Sequence, residues 1–243
     1  MKFITKYKSL NFDKRNPANK ITFIVIHYTA MQSLDKTLKL LCSIKSKVSS
    51  HFLISKKGVI YKLVDENLRA WHAGKSKWKN IIDINSCSIG IELENSGHHL
   101  KFEKYNNKQI NSLLELISYL KSKYNILETN IIGHSDVAPL RKKDPGEKFP
   151  WKILQKKHLC YLPNIKKIKY HDKLSLKNEK NLRKYLKIIG YDTNNRTSKK
   201  NLKKIITAFQ MHFQQDFVKG YPNKYTYLLA KKYCYDYYKE FID

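Results

Sequence analysis

The chain has no long apolar run. No stretch of its 243 residues approaches the roughly 18 apolar residues that a membrane-crossing helix needs, so no membrane-spanning segment is expected. The opening Met1-Lys2-Phe3-Ile4-Thr5-Lys6-Tyr7-Lys8 carries charge but no apolar core, so no signal peptide is read there. Cysteine is sparse as well. Cys42, Cys87, Cys160 and Cys234 form no CxxC pair, which leaves neither a zinc knuckle nor a dithiol redox motif. Scattered cysteines of this kind fit buried thiols and a reducing compartment. Acidic residues number 20 against 48 basic ones, giving a formal charge of +28. Arginine is rare, 5 residues beside 43 lysines. A reader of nucleic-acid sequence would use more arginine for bidentate contacts, so nucleic acid is not the expected partner. Abundant Ile, Asn and Tyr make compositional bias a simpler source for much of the lysine.

What is present suffices for a core. Hydrophobic residues make up 42% and aromatics 12%, which excludes disorder for the bulk of the chain. The length suits two domains. Ile21 to Ile26 is a nearly continuous β-branched and aromatic run, the pattern of a strand buried on both faces, and His27 stands at its end. Leu34 to Ile44 has helical spacing. Phe52–Ile54 and Val59–Val64 read as strands joined by the turn Ser55-Lys56-Lys57-Gly58. Ser88 to Glu94 alternates, with Ile89, Ile91 and Leu93 on one face and Ser88, Gly90, Glu92 and Glu94 on the other. Gln109 to Tyr124 is an amphipathic helix, and Asn130 to Gly133 is a short strand ending at His134. The first two-thirds is therefore mixed α/β.

The character changes after Trp151. Residues 1–155 form the expected mixed α/β domain, 156–176 a lysine-rich linker, and 177–243 a three-helix domain. Its helical faces are Leu182-Tyr185-Leu186-Ile189 stopped by Gly190, then Leu202 to Phe213, then Tyr225 to Phe241. Both parts are basic, and the last 88 residues are the denser in charge.

Two histidines end strands, and Asp144 follows His134 by ten residues in Lys142-Lys143-Asp144-Pro145-Gly146. Sites in open α/β sheets gather at the carboxyl ends of strands. Two His and one carboxylate, with a fourth position open for water, is the composition of a hydrolytic zinc site. Nine histidines occur in the chain, so the surroundings of these two must decide. Read alone, His51 and His72 fit structural histidines and His98 and His99 a solvated loop.

Five blocks supply those surroundings: Ile24-Val25-Ile26-His27-Tyr28-Thr29, Ser50-His51-Phe52-Leu53-Ile54, Ala70-Trp71-His72-Ala73-Gly74, Ser88-Ile89-Gly90-Ile91-Glu92-Leu93-Glu94, and Gly133-His134-Ser135-Asp136-Val137-Ala138-Pro139 running on to Asp144-Pro145-Gly146. Their order and spacing over roughly residues 20–155 resemble the zinc-dependent N-acetylmuramoyl-L-alanine amidases of the amidase-2 family, relatives of the peptidoglycan recognition proteins. The resemblance implies a mixed central sheet flanked by helices. It implies one Zn²⁺ per chain held by His27, His134 and Asp144, with Glu92 as the catalytic glutamate and Lys142 stabilising the oxyanion. Strand alternation alone does not separate Glu92 from Glu94; the family match selects Glu92. Tyr28, Trp71, His72, Ala73 and Glu94 are the expected substrate-lining residues.

The implied reaction is hydrolysis of the amide between the lactyl group of N-acetylmuramic acid and L-alanine in peptidoglycan or muropeptides. The alternative is a non-catalytic peptidoglycan receptor on the same fold, which would lack one or more ligands. The C-terminal segment resembles the three-helix peptidoglycan-binding module through Leu182-Arg183-Lys184-Tyr185-Leu186, Gly190-Tyr191-Asp192, Ala208-Phe209-Gln210 and Gly220 to Thr226, with Asn223 where an acid is usual. Wall binding and a mere packing or dimerisation role both remain open for it. A wall-binding domain places the protein in the cell envelope, the periplasm, ahead of the cytoplasm.

Overall fold

The apolar run around Ile24 becomes the strand on which the molecule is built. The structure is a computed structural model and describes residues 1–166, 174–194 and 196–239. In chain order the strands are β1 (Phe3–Ile4), β2 (Phe12–Lys14), β3 (Phe23–Tyr28), β4 (Phe52–Ile54), β5 (Ile60–Lys62), β6 (Leu68–Ala70), β7 (Ser88–Leu93) and β8 (Ile131–Gly133). The helices are α1 (Leu34–Cys42), α2 (Asn107–Tyr124), α3 (His134–Val137), α4 (Trp151–Lys156), α5 (Leu176–Ile189), α6 (Lys199–Phe213) and α7 (Lys224–Tyr237). Six strands form one sheet in the order β1-β5-β4-β7-β3-β8, and β2 pairs with β6 in a separate ribbon. The sheet is mixed. Only the β4–β5 hairpin is antiparallel; the other neighbours run parallel.

Each face of the sheet has its own cover. Ile24, Ile26, Ile89, Ile91 and Ile131 pack with Ile110, Leu113, Ile117 and Leu120 of α2. Asn106 caps α2 by accepting from Gln109 N–H at 3.0 Å, and Asn125 closes it in the left-handed region at φ 50°. Phe23, Val25 and Ile132 lie on the opposite face, in one core with Leu186, Ile206, Phe209 and Leu229 of the C-terminal helices. The polar-looking side of β7 is thus buried too. Ser88 and Gly90 are small because His51 and His72 lie over them.

Some boundaries differ from the sequence expectation. The strand stops at Gly133 and His134 opens a single helical turn, because Gly133 N–H is taken by the Asp136 carboxylate at 2.7 Å. The first part of the expected linker lies against the body: Leu159 and Cys160 are buried, and Gln155 donates to Leu162 O at 2.8 Å. Residues 167–173 of that linker, and residues 240–243 at the end of the expected last helix, lie outside the described residues. Three C-terminal helices form, the last ending at Tyr237 short of the expected Phe241, and they share a core with the sheet across the expected domain boundary.

Candidate metal centre

Strand register brings the site together. β3 and β7 pair with His27 opposite Glu92, and β3 and β8 pair with Ile26 opposite Gly133. Paired residues of a parallel ladder project to the same face, so His27 and Glu92 emerge side by side. His134, one residue past Gly133, comes level with His27. Asp144 arrives from the turn beyond α3, where its carbonyl accepts from Ser135 N–H at 2.8 Å.

Three donor atoms converge. His27 Nδ1 lies 2.9 Å from His134 Nδ1 and 3.1 Å from Asp144 Oδ2, and His134 Nδ1 lies 2.9 Å from the same oxygen. Hydrogen-bond partners decide where the imidazole protons sit. Ala73 O can only accept and lies 3.1 Å from His134 Nε2, nearer than the Arg141 guanidinium at 3.4 Å, which itself donates to Ala73 O; with the proton on Nε2, Nδ1 offers a lone pair. For His27 the answer comes through a chain. Ser88 Oγ donates its one proton to Ile84 O at 2.6 Å, so it accepts from His72 Nε2–H at 3.1 Å. His72 Nδ1 then accepts from His27 Nε2–H at 3.0 Å. His27 Nδ1 is left with its lone pair.

Electrostatics agree with neutral rings. Burial, with His134 adding to it, pushes His27 down to about 4, and burial holds His72 well below the ordinary histidine range. Two lone pairs and a carboxylate oxygen therefore face one point with no hydrogen between them. That donor set suits a cation. The buried His27, His134 and Asp144 could hold a metal ion, and their separations approach the roughly 3.3 Å expected between donors around a tetrahedral zinc.

Glu92 stands beside the cluster. Burial raises its carboxyl to about 8, Asp144 adds to the rise, and Lys142 opposes it. Its Oε2 is shielded from solvent and has no hydrogen-bond partner. Lys142 also lowers His27, so one ammonium acts on both groups.

A family model for N-acetylmuramoyl-L-alanine amidase matches residues 17–147, a span holding His27, Glu92, His134, Lys142 and Asp144. The chain belongs to the N-acetylmuramoyl-L-alanine amidase family. Among the members it resembles, N-acetylmuramoyl-L-alanine amidase AmiD of Escherichia coli is 32% identical over 250 residues, covering 95% of this chain and 90% of that protein. A solved structure of AmiD from E. coli, in complex with the substrate anhydro-N-acetylmuramic acid-L-Ala-D-γ-Glu-L-Lys, superposes with a TM-score of 0.82, covering 91% of this chain and 92% of that one. The 1,6-anhydro-N-acetylmuramyl-L-alanine amidase AmpD of Haemophilus influenzae is 34% identical over 162 residues, which is 59% of this chain and 86% of that protein.

Within this amidase the remaining expected site residues take distinct places. His72 and Ala73 hold the second nitrogens of His27 and His134, so they orient the cluster. Trp71 donates its indole N–H to Asp13 at 2.7 Å. Glu94 accepts from Lys56 N–H at 2.8 Å, on the hairpin turn, which separates its carboxylate from that of Glu92. Tyr28 donates to His98 Nδ1 at 2.9 Å, and His98 Nε2–H donates to Glu147 at 2.9 Å. His98 is therefore not a solvated loop residue; it stacks on Phe102 with ring centroids 4.3 Å apart. Sequence reading missed this Tyr28-His98-Glu147 row and the proton-fixing role of Ser88. Neither has a local signal, since 49 residues separate His98 from Glu147 and only the fold joins them. His51 is structural as expected: its Nδ1 accepts from Gly90 N–H at 3.0 Å and its Nε2–H donates to Leu68 O at 3.1 Å.

Proposed function

We propose that this chain is a zinc-dependent amidase that hydrolyses the bond between the lactyl carbonyl of N-acetylmuramic acid and the amine of L-alanine. The observation that carries the reading is the convergence of two imidazole lone pairs and one carboxylate oxygen beside Glu92, whose Oε2 is shielded and has no hydrogen-bond partner. His27 Nδ1, His134 Nδ1 and Asp144 Oδ2 would hold one Zn²⁺ per chain. Zinc in such a site supplies a Lewis acid that brings the pKa of water to about 7 and polarises a carbonyl.

The protein's own groups supply the rest. Glu92 accepts the proton of the attacking water and passes it to the departing amine as the carbon–nitrogen bond breaks. Lys142 offers fixed positive charge to the oxyanion that forms at the lactyl carbonyl. The Ser88-His72 chain and Ala73 O keep the two imidazoles in the tautomer that the cluster needs. No member of the set is missing, which favours an enzyme over a receptor. Tyr28, Trp71 and Glu94 stand as substrate-lining residues, Tyr28 held ready by His98.

The substrate class follows from AmiD of E. coli, solved with an anhydro-muropeptide as its substrate. We assign the same class here, with action in the cell envelope. Among the described residues no helix is long and apolar enough to cross a membrane. Incubation with anhydro-N-acetylmuramic acid-L-Ala-D-γ-Glu-L-Lys and mass spectrometry of the products tests the reading. Release of anhydro-N-acetylmuramic acid and free tripeptide is expected from the native protein and not from His27→Ala. Equal product from both, or cleavage at another bond, contradicts it.

A further inference from the structure

Asp136 lies two residues past His134 and is fully buried. A buried carboxylate is costly unless its oxygens are hydrogen-bonded, and this one accepts three bonds. Gly133 N–H donates to Oδ2 at 2.7 Å, His212 Nδ1–H donates to Oδ2 at 2.8 Å, and Tyr191 O–H donates to Oδ1 at 2.5 Å. The first donor belongs to the catalytic half. The other two come from the C-terminal helices: Tyr191 follows α5 and His212 sits in the last turn of α6.

The Gly133 bond closes the corner between β8 and α3. One side of that corner is fixed by pairing to β3, and the other begins with His134. The next residue, Ser135, holds the Asp144 backbone through its N–H. Two of the three converging donors thus hang on a corner whose central carboxylate is satisfied from the C-terminal unit. The two C-terminal donors are themselves immobilised. His212 stacks on Trp151 at 3.7 Å between ring centroids, and Tyr191 meets Trp78 edge-on at 4.9 Å. Gln215, just past α6, donates to Glu147 O and Phe149 O, both at 2.6 Å, and braces the segment after Asp144.

We propose that Tyr191 and His212 are positioning residues of the metal centre: acting through Asp136, they set the aim of His134, so that the C-terminal helices tune metal affinity as well as completing the core. The proposal rests on the assignment of His27, His134 and Asp144 as zinc ligands. It separates the C-terminal unit from a module whose only task is to hold the wall.

The test uses full-length protein and reads zinc affinity by competition with a chromophoric chelator, with the thermal midpoint of each metal-free variant measured alongside. Tyr191→Phe and His212→Leu each remove one donor to Asp136; His212→Gln keeps a donor. Leu229→Ala makes a cavity in the same C-terminal core while leaving all three donors to Asp136 in place. Tyr191→Phe and His212→Leu are expected to weaken zinc binding about 10–100-fold, the range for groups that orient metal ligands, and to lower kcat with little change in KM. His212→Gln recovers part of the loss. Leu229→Ala lowers the midpoint yet keeps zinc binding within about twofold, since it removes no hydrogen bond to Asp136. Unchanged zinc affinity in both Tyr191→Phe and His212→Leu overturns the proposal, as does an equal loss in Leu229→Ala. A native protein that binds no zinc removes the ligand assignment itself, and this proposal with it.

Discussion

Gly90 is where the smallest residue carries the largest constraint. A Cβ there would sit 2.4 Å from the His72 ring, which is held between His27 and Ser88. Gly90→Ala must push His72 away, at a cost of about 1–3 kcal/mol in stability and about 10–100-fold in zinc affinity through the lost hold on His27. Chemical denaturation and chelator competition on the same variant check both. Glu92 gives the second prediction at this scale. Its carboxyl keeps its proton to about pH 8 in the folded metal-free protein, against 4.5 when unperturbed. A raised value favours the native state fully below 4.5, and that advantage is lost as pH rises through 8. Metal-free Glu92→Gln escapes the loss. It should exceed the native protein in stability at pH 9, with a ceiling of about 5 kcal/mol, and the excess should shrink toward pH 5 in urea unfolding. The same substitution should lower kcat by about 10²–10⁴-fold without reducing zinc content.

At the scale of elements, the half-buried Arg15 joins pieces that touch the site only indirectly. Its guanidinium donates to the carbonyls of Asn85, Ser86, Leu68 and Ser88, tying the turn before β7 to β6. Arg15→Met leaves those carbonyls unpaired and should destabilise the protein by about 1–3 kcal/mol, seen as a lower urea midpoint. How far the elements were legible depends on where their partners lie. Ile24 to His27, the hairpin with Gly58 (φ 81°) and the α2 stripe were readable because their signals are local. Alternation put Ser88 and Gly90 on one face of their strand, but not the reason they are small, which is that His51 and His72 lie over them. That reason sits 16 or more residues away in sequence. The His27-His134-Asp144 cluster was readable only through five blocks taken together, since His27 and Asp144 are 117 residues apart. His98 was misread because its partners Tyr28 and Glu147 lie 70 and 49 residues away.

Across the whole molecule, the expected division into two domains hides a shared core in which Val25 and Ile132 meet Leu186 and Phe209. The +28 charge spreads over both parts, and its use follows from what the amidase meets. Peptidoglycan stem peptides carry free carboxylates, so long-range attraction should draw the protein to wall material and weaken as the Debye length shortens from about 10 Å at 0.1 M salt to about 3 Å at 1 M. Sedimentation with purified sacculi should show bound protein falling steeply over that range. Binding that does not change with salt would leave the charge to compositional bias alone.

The central claim is that the lone pairs of His27 and His134 and the carboxylate of Asp144 make a catalytic zinc site. Metal-stripped protein titrated with Zn²⁺, with peptide release from an anhydro-muropeptide followed at each addition, tests it most directly. Activity should rise from near zero and break at one zinc per chain, and His27→Ala should show neither the break nor the activity. Full release before any zinc is added, or an unaltered titration in His27→Ala, would contradict it.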